Sequence, residues 1–284
     1  MGIYSDILLT ADYDHTFTRP DSSIPEENVK AVRYFIENGG AFTLNTGRSV
    51  PMLEVCKDII PANAPLLLYN GGGAYDLNKQ EMVFCHKIDL DLWQVAKDCM
   101  EAFPDLTFEV QGVKAHYCFR ENPDFGIFSE NNVCAWAVAQ PGDDLGPFLK
   151  FTFYGAFHKH TMEGMYEYTP EELARMDEVE AMLRERYSEH CEVFRAAPRI
   201  IDVQTKGVSK GRSAMELKEK LGKKILVSIG DGMNDRSVLD VADYAFVPSD
   251  ATLRDRFSNV CKCGDGAVAD VIYKEIPKIL DIQA

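Results

Sequence analysis

Four short polar clusters carry residue types and spacings that chemistry can use. The first is Asp12-Tyr13-Asp14-His15-Thr16, directly after the apolar stretch of IYSDILLTA. Alternation along an extended chain end turns Asp12 and Asp14 to the same side. Two carboxylates there repel unless a cation or a shared proton lies between them, and they offer two jobs, nucleophile and general acid/base. A solvated strand-end turn would carry the same residues. The second cluster is Thr46-Gly47-Arg48 after AFTLN, where a hydroxyl and free N–H groups at a helix start can cradle an anion. Plain N-capping by Thr46 or Ser49 is the simpler alternative. The third is Lys210 in GVSKG. A lysine in a first helical turn opposes the macrodipole at a cost of a few tenths of a kcal/mol, which favours a task such as neutralising a phosphoryl oxygen, although a solvated surface position is the commoner outcome for any single lysine. The fourth is GDGMND, Gly230 to Asp235, after the apolar run ILVSI. Asp231, Asn234 and Asp235 at a strand-to-helix turn suit a hard cation such as Mg2+, although Asn234 or Asp235 could also simply cap the next helix.

Together these groups form a phosphoryl-transfer inventory: nucleophile, proton donor, cation site and charge clamps. Other reaction classes lack their signatures. No G-x-x-x-x-G-K-[ST] loop, no serine nucleophile elbow and no G-x-G-x-x-G after the first strand is present.

The elements that must position these clusters alternate. A buried strand ending near residue 11 is followed by a helix, with Ser23-x-x-Glu26 and Pro25 as its start signal and Gly39-Gly40 as its stop. AFTLNT reads as a strand, 49–60 as a helix stopped by Pro61, and PLLLYN as a further buried strand. That order implies right-handed crossovers and a parallel sheet, whose ligands bind beyond the strand carboxyl ends. The middle of the chain has another texture. Hairpins near Asn78 and near Gln111-Gly112, a helix over 89–103, a strand over 150–155, a helix over 169–187 capped by Thr169 and Glu172, and a final strand pair suggest an α+β insert. From residue 207 the first texture returns: helix, strand KILVSIG, helix, strand YAFVP, and a last helix over 266–282.

Composition narrows the partners. The 284 residues include 30 basic and 45 acidic ones, a formal net charge of -15 that opposes nucleic acid and anionic membrane surfaces. No apolar run reaches the length needed to span a bilayer, and the N-terminus lacks the pattern of a secretory signal. The 8 cysteines include no C-x-x-C pair and fit a reduced, cytoplasmic setting.

These motifs resemble the haloacid dehalogenase superfamily of phosphohydrolases, and in particular its Cof-type subgroup with a large α/β cap. The D-x-D-x-T motif is similar to Asp12, Asp14 and Thr16, the second motif to Thr46, the lysine motif to Lys210, and the acidic motif to GDGMND. Asn70-Gly71-Gly72 is similar to the tract before the family's cap. The resemblance implies a Rossmann-like doubly wound α/β core over 1–85 and 204–284, with an inserted α+β cap over 86–203 that decides specificity. It implies Asp12 as nucleophile and Asp14 as acid/base. It implies Mg2+ held by Asp12, the Asp14 main chain and Asp231, with Asn234 and Asp235 completing or orienting the shell. Thr46, Gly47, Lys210 and Asn234 would hold the phosphoryl group.

The expected activity is hydrolysis of a small phosphorylated metabolite, such as a sugar phosphate, through an aspartyl-phosphate, by a monomer or homodimer. A phosphomutase sharing that intermediate, and a catalytically weak phosphometabolite-binding module, are the alternatives. One departure stands out: His15 occupies a position the family usually gives to glycine, which permits close backbone approach or an unusual φ; histidine is tolerated there if its φ is ordinary, with the imidazole either directed toward the cap or substrate or merely packed or solvent-facing. Arg19 and Asp21 lie where the chain leaves the site and are expected at the surface. In the insert, His116, Tyr117, Arg120, Trp136, Tyr154, His158, His160 and Arg195 are candidate pocket residues, although aromatics at alternating spacing are mostly core.

Overall fold

The computed structural model describes residues 2–54, 57–120, 136–155 and 168–283, so His158 and His160 lie outside the described residues. In chain order the strands are Ile7–Ala11 (β1), Ala41–Leu44 (β2), Leu66–Leu68 (β3), Gly73–Asp76 (β4), Glu81–Cys85 (β5), Thr107–Gly112 (β6), His116–Cys118 (β7), Trp136–Val138 (β8), Phe148–Tyr154 (β9), Cys191–Ala197 (β10), Ile200–Thr205 (β11), Ile225–Ile229 (β12), Tyr244–Pro248 (β13) and Ser258–Val260 (β14). The chain divides into two compact units. One comprises Met1–Arg48, Cys56–Cys85 and Val208–Ala284, and the other Ser49–Val55 and His86–Gly207.

The first unit is built on a parallel sheet in the order β14-β13-β12-β1-β2. Every residue of β1, β2 and β12 is buried, because helices in the connections cover both faces and leave no wet side for a polar alternation. A parallel bridge between Asn45 and Leu67 carries the order on to β3, which leads the antiparallel trio β3-β4-β5. Two expected local details differ. Helix Glu26–Glu37 starts from Pro25 with no side-chain cap, because the Ser23 hydroxyl and N–H both donate to Asp21 in a local turn. Of the helix expected over 49–60, the described residues form Val50–Glu54, and residues 57–59 form a turn.

The second unit is a six-stranded sheet in the order β10-β11-β9-β6-β7-β8. Strand alternation sorts its residues. Phe108, Val110, Phe151, Phe153, Ile201 and Val203 face helices Leu92–Ala102 and Pro170–Tyr187, whose Val95, Cys99, Val179 and Leu183 complete an apolar core. Burying each large side chain there contributes roughly 1.5–3 kcal/mol. The expected capping box on the second helix is formed: Glu172 N–H donates to Thr169 Oγ1, and Thr169 N–H to Glu172 Oε2. The alternate positions Glu109, Gln111, Lys150, Thr152, Asp202 and Gln204 are polar, yet also buried.

Candidate active site

Strand register explains how distant residues meet. Ala11 pairs with Ile229 and with Leu44, so β12, β1 and β2 end level, and the next few residues of each form one edge. Asp12 follows β1 directly, and its N–H donates to the Ile229 carbonyl at 2.9 Å. Thr46 lies two residues beyond β2, and Asp231 two beyond β12.

At this edge, oxygen atoms of Asp12, Asp231 and Asp235 lie within 4.8 Å of one another. Lys210 Nζ donates to Asp12 Oδ1 at 2.7 Å and to Asp235 Oδ1 at 2.6 Å, with the lysine side chain 0 % exposed. The lysine at the start of helix Lys210–Lys220 is therefore no surface residue: its ammonium leaves the helix terminus for the carboxylates, and Ser209 supplies the cap by accepting from Arg212 N–H. Asp235 is fixed by a glycine turn. Its Oδ2 accepts from the N–H groups of Asp231 and Gly232, and a Cβ on Gly230 would stand 2.4 Å from its carboxyl carbon, which only glycine avoids. Thr16 Oγ1 donates to Asp231 Oδ1 at 3.3 Å.

The charges do not balance. Burial pushes the Asp12 carboxyl well above the usual carboxylate range; Asp235 and Asp231 push the same way, and Lys210 opposes them. Burial and the Asp235 charge raise Asp231 to about 6. For Lys210, burial pulls downward, but the Asp12 and Asp235 carboxylates outweigh it and hold the ammonium charged. With all three carboxylates ionised, the one ammonium would leave two negative charges, which a hard divalent cation on this all-oxygen donor set would neutralise. A cavity of about 340 Å³ lined by His15, Asp231, Asp250 and Thr252, among others, opens onto Asp231.

Asp14 stands apart from this carboxylate trio. Arg48 grips it in bidentate fashion, with Nε to Oδ2 at 2.9 Å and Nη2 to Oδ1 at 2.7 Å, while the guanidinium lies 4.7 Å from the centre of the Tyr13 ring. The sequence reading missed this partner, although Arg48 adjoins the phosphate candidates. Thr46 Oγ1 accepts from Arg48 N–H at 3.2 Å, and Ser49 Oγ from Met52 N–H, so the capping alternative holds for Ser49. Gly47 packs on Asn70, whose Oδ1 would lie 2.9 Å from a Cβ at that position. Asn234 is exposed, and its amide donates to the same Asn70 Oδ1 at 3.3 Å.

The ordinary backbone that was the condition for tolerating histidine is not found at His15. Its φ is 57°, the left-handed region that favours glycine, and it is tolerated there as an exposed residue at a cost of about 1 kcal/mol. Tyr69 and Asn70, with φ of 55° and 53°, share that region, and their N–H groups donate to the Arg48 and Thr46 carbonyls. Arg19 is part-buried, its Nε donating to the Gly264 carbonyl, whereas Asp21 is exposed.

Residues 9–254 match the haloacid dehalogenase-like hydrolase family over most of the chain. The chain belongs to that family. Solved structures agree on the fold. A haloacid dehalogenase-like hydrolase from Bacteroides thetaiotaomicron superposes with a TM-score of 0.78 at 20% identity, covering 94% of this chain and 98% of that one. One from B. subtilis gives a TM-score of 0.73 at 16% identity, covering 94% and 99%. Among curated relatives, a Haemophilus influenzae protein named "Putative phosphatase" is 24% identical over 251 residues, 87% of this chain and 86% of its own. As a haloacid dehalogenase-like hydrolase the chain has a Rossmann-like α/β core, and Asp12 and Lys210 stand at the carboxyl edge of its sheet. Among the described residues no helix is long and apolar enough to cross a membrane.

Proposed function

We propose that this hydrolase is a Mg2+-dependent phosphatase acting on a small phosphorylated metabolite, such as a sugar phosphate, through an aspartyl-phosphate. The observation that carries the reading is the buried Asp12 carboxyl, bound by Lys210 and grouped with Asp231 and Asp235. An Asp12 oxygen attacks phosphorus; a P–O bond forms as the bond to the leaving oxygen breaks. Asp14 delivers a proton to that leaving oxygen. It then takes a proton from the water that attacks phosphorus and frees Asp12. Arg48 keeps the Asp14 carboxylate in place between turnovers. The Lys210 ammonium offsets the charge of the transferred group, and the Thr46 hydroxyl, the Gly47 N–H and the Asn234 amide hold its remaining oxygens. Asp12, the Asp14 main-chain oxygen and Asp231 would hold Mg2+, with Asp235 and Asn234 behind them. The ion would supply charge neutralisation that lets Asp12 approach a phosphate dianion.

The purified protein should release inorganic phosphate from a panel of phosphorylated metabolites. EDTA should abolish the activity and added Mg2+ should restore it. Asp12→Asn should lower turnover by about 10⁴-fold or more. Undiminished turnover in Asp12→Asn rules out the covalent route, and an isomerised ester with little free phosphate points to a mutase.

A further inference from the structure

Lys210 has a neighbour in the first unit that the proposed chemistry does not use. The parallel register sets Leu226, Leu8 and Ala41 side by side on one face of the sheet, where they pack with Ala214 and Leu217 of helix Lys210–Lys220. Side chains alternate along a strand, so the residues four further on, Asp12 and Asn45, turn to that same face. Both meet the first turn of the helix there. Asp12 accepts from the Lys210 ammonium, and Asn45 Nδ2 donates to the Lys210 carbonyl at 3.0 Å. Asn45 is 1 % exposed, and its own backbone is held on both sides: its N–H donates to the Ala11 carbonyl at 2.8 Å, and a parallel bridge joins it to Leu67. A carbonyl only accepts, which fixes the amide with its nitrogen toward Lys210. Oδ1 then faces away and finds no hydrogen-bond partner among the described residues. An unpaired buried oxygen weakens a fold, so stability alone favours an apolar residue at this position.

We propose that Asn45 is a positioning residue for Lys210. The Lys210 carbonyl also accepts from Ser213 Oγ at 3.1 Å, but that bond lies within the helix and ties it to nothing else. Other ties hold the neighbours of Lys210. Gly211 N–H donates to Ser237 Oγ at 3.2 Å, and Gly71 packs so closely on Ser209 that a Cβ there would stand 2.2 Å from the Ser209 carbonyl oxygen. The Asn45 amide acts on Lys210 itself and comes from the same strand end as Thr46. It fixes the height of the first helical turn over the carboxyl edge of the sheet, and with it the point that Nζ reaches between Asp12 Oδ1 and Asp235 Oδ1. Without the amide the turn is free to move away from the edge, and the ammonium no longer falls where a transferred phosphoryl group must meet it. The proposal rests on the phosphatase reading for what Lys210 meets.

Two measurements on the full chain test it. One is the side-chain nitrogen resonance of the Lys210 ammonium in isotope-labelled protein, assigned by its disappearance in Lys210→Arg. The other is turnover, read as phosphate released from the metabolite panel in the presence of Mg2+. Asn45→Ala should shift the resonance and lower turnover by about tenfold or more, since a small misplacement of a positioned group is costly. Ser213→Ala deletes the other donor to the same oxygen, and should leave the resonance in place and turnover within about twofold. Asn45→Leu removes the same donor at similar volume and decides the question if Asn45→Ala does not fold. A merely structural role would lower the unfolding midpoint and move neither readout. An unshifted resonance in Asn45→Ala, turnover within about twofold of the unaltered protein, or an equal loss in Ser213→Ala overturns the proposal. An unaltered protein that hydrolyses no phosphomonoester defeats the phosphatase reading alone, since the resonance still reports where the ammonium stands.

Discussion

Both units bury carboxylates, and they treat them in opposite ways. In the first, Asp12, Asp231 and Asp235 share one ammonium, and the proton affinities of Asp12 and Asp231 rise. In the second, each buried carboxylate has its own partners. Glu109 is met by His116, Tyr154 and Gln111, and Asp202 by Lys150 at 3.1 Å and Thr152 at 2.8 Å. Burial alone would raise Glu109, but these partners outweigh it and hold its pKa below the usual value. Backbone strain divides the same way. Among the described residues, the non-glycine residues at positive φ are His15, Ser22, Tyr69, Asn70 and Gln80, all in the first unit. An under-neutralised, strained edge is what a site needs in order to gain from binding a cation and an anion, while a matched set specifies position.

The sharpest way to break this contrast is to remove the shared cation. Lys210→Met should cost about 4 kcal/mol in urea unfolding, because it strands Asp12 and Asp235 as buried charges; a loss under about 1 kcal/mol would show that the cluster is protonated and carries no net charge. The matched unit should lose less. Glu109→Gln should cost roughly 2–3 kcal/mol, since an amide places an NH2 group against a donor on one side or the other. Because the folded pKa of Glu109 is lowered, its contribution is present above its unfolded pKa of about 4.3 and fades as pH falls through the folded value. The difference between wild type and Glu109→Gln should therefore shrink in acid.

Asp231 should show the reverse sign. Its folded pKa of about 6 lies above the usual 3.8, so its contribution is complete below about pH 4 and is lost by about pH 6. Metal-free protein should weaken by about 2 kcal/mol over that interval, a figure discounted for the partial exposure of Asp231. Added Mg2+ should stabilise the protein more at pH 7 than at pH 5 in thermal melts; equal stabilisation at both would argue against binding at this cluster. The smallest expected change is His15→Gly, which relieves the positive φ and should add about 1 kcal/mol of stability; a loss would mean that the imidazole makes a contact worth more than the strain.

Much of the first unit was legible because its chemistry follows immediately on apolar strands. Asp12 after ILLTA and Asp231 after ILVSI sit where a parallel sheet must expose them. The Thr169 capping box was legible for a similar reason, since both partners lie within one turn of helix. The grip of Arg48 on Asp14 was not, because it joins residues 34 apart through a loop whose path no local pattern dictates. The His116–Glu109 and Ser49–His116 pairs depend on sheet register and on a segment from before the insert, and a polar alternation reads as a wet face when its partners are unknown. The left-handed backbone at His15 escaped because a histidine gives no sign of it.

The sheet of the first unit also constrains the order of assembly during synthesis. β1 takes its place between β2 and β12, and β12 begins at Ile225. Most of the inserted unit, His86–Gly207, leaves the ribosome as one continuous stretch before that partner exists. The insert can complete its own pairings while β1 and β2 still wait for the strand that closes the sheet. Asp12 therefore emerges early and remains without its ammonium and acidic neighbours until residues 210–235 arrive, so the acidic cluster is among the last parts of the nascent protein to form.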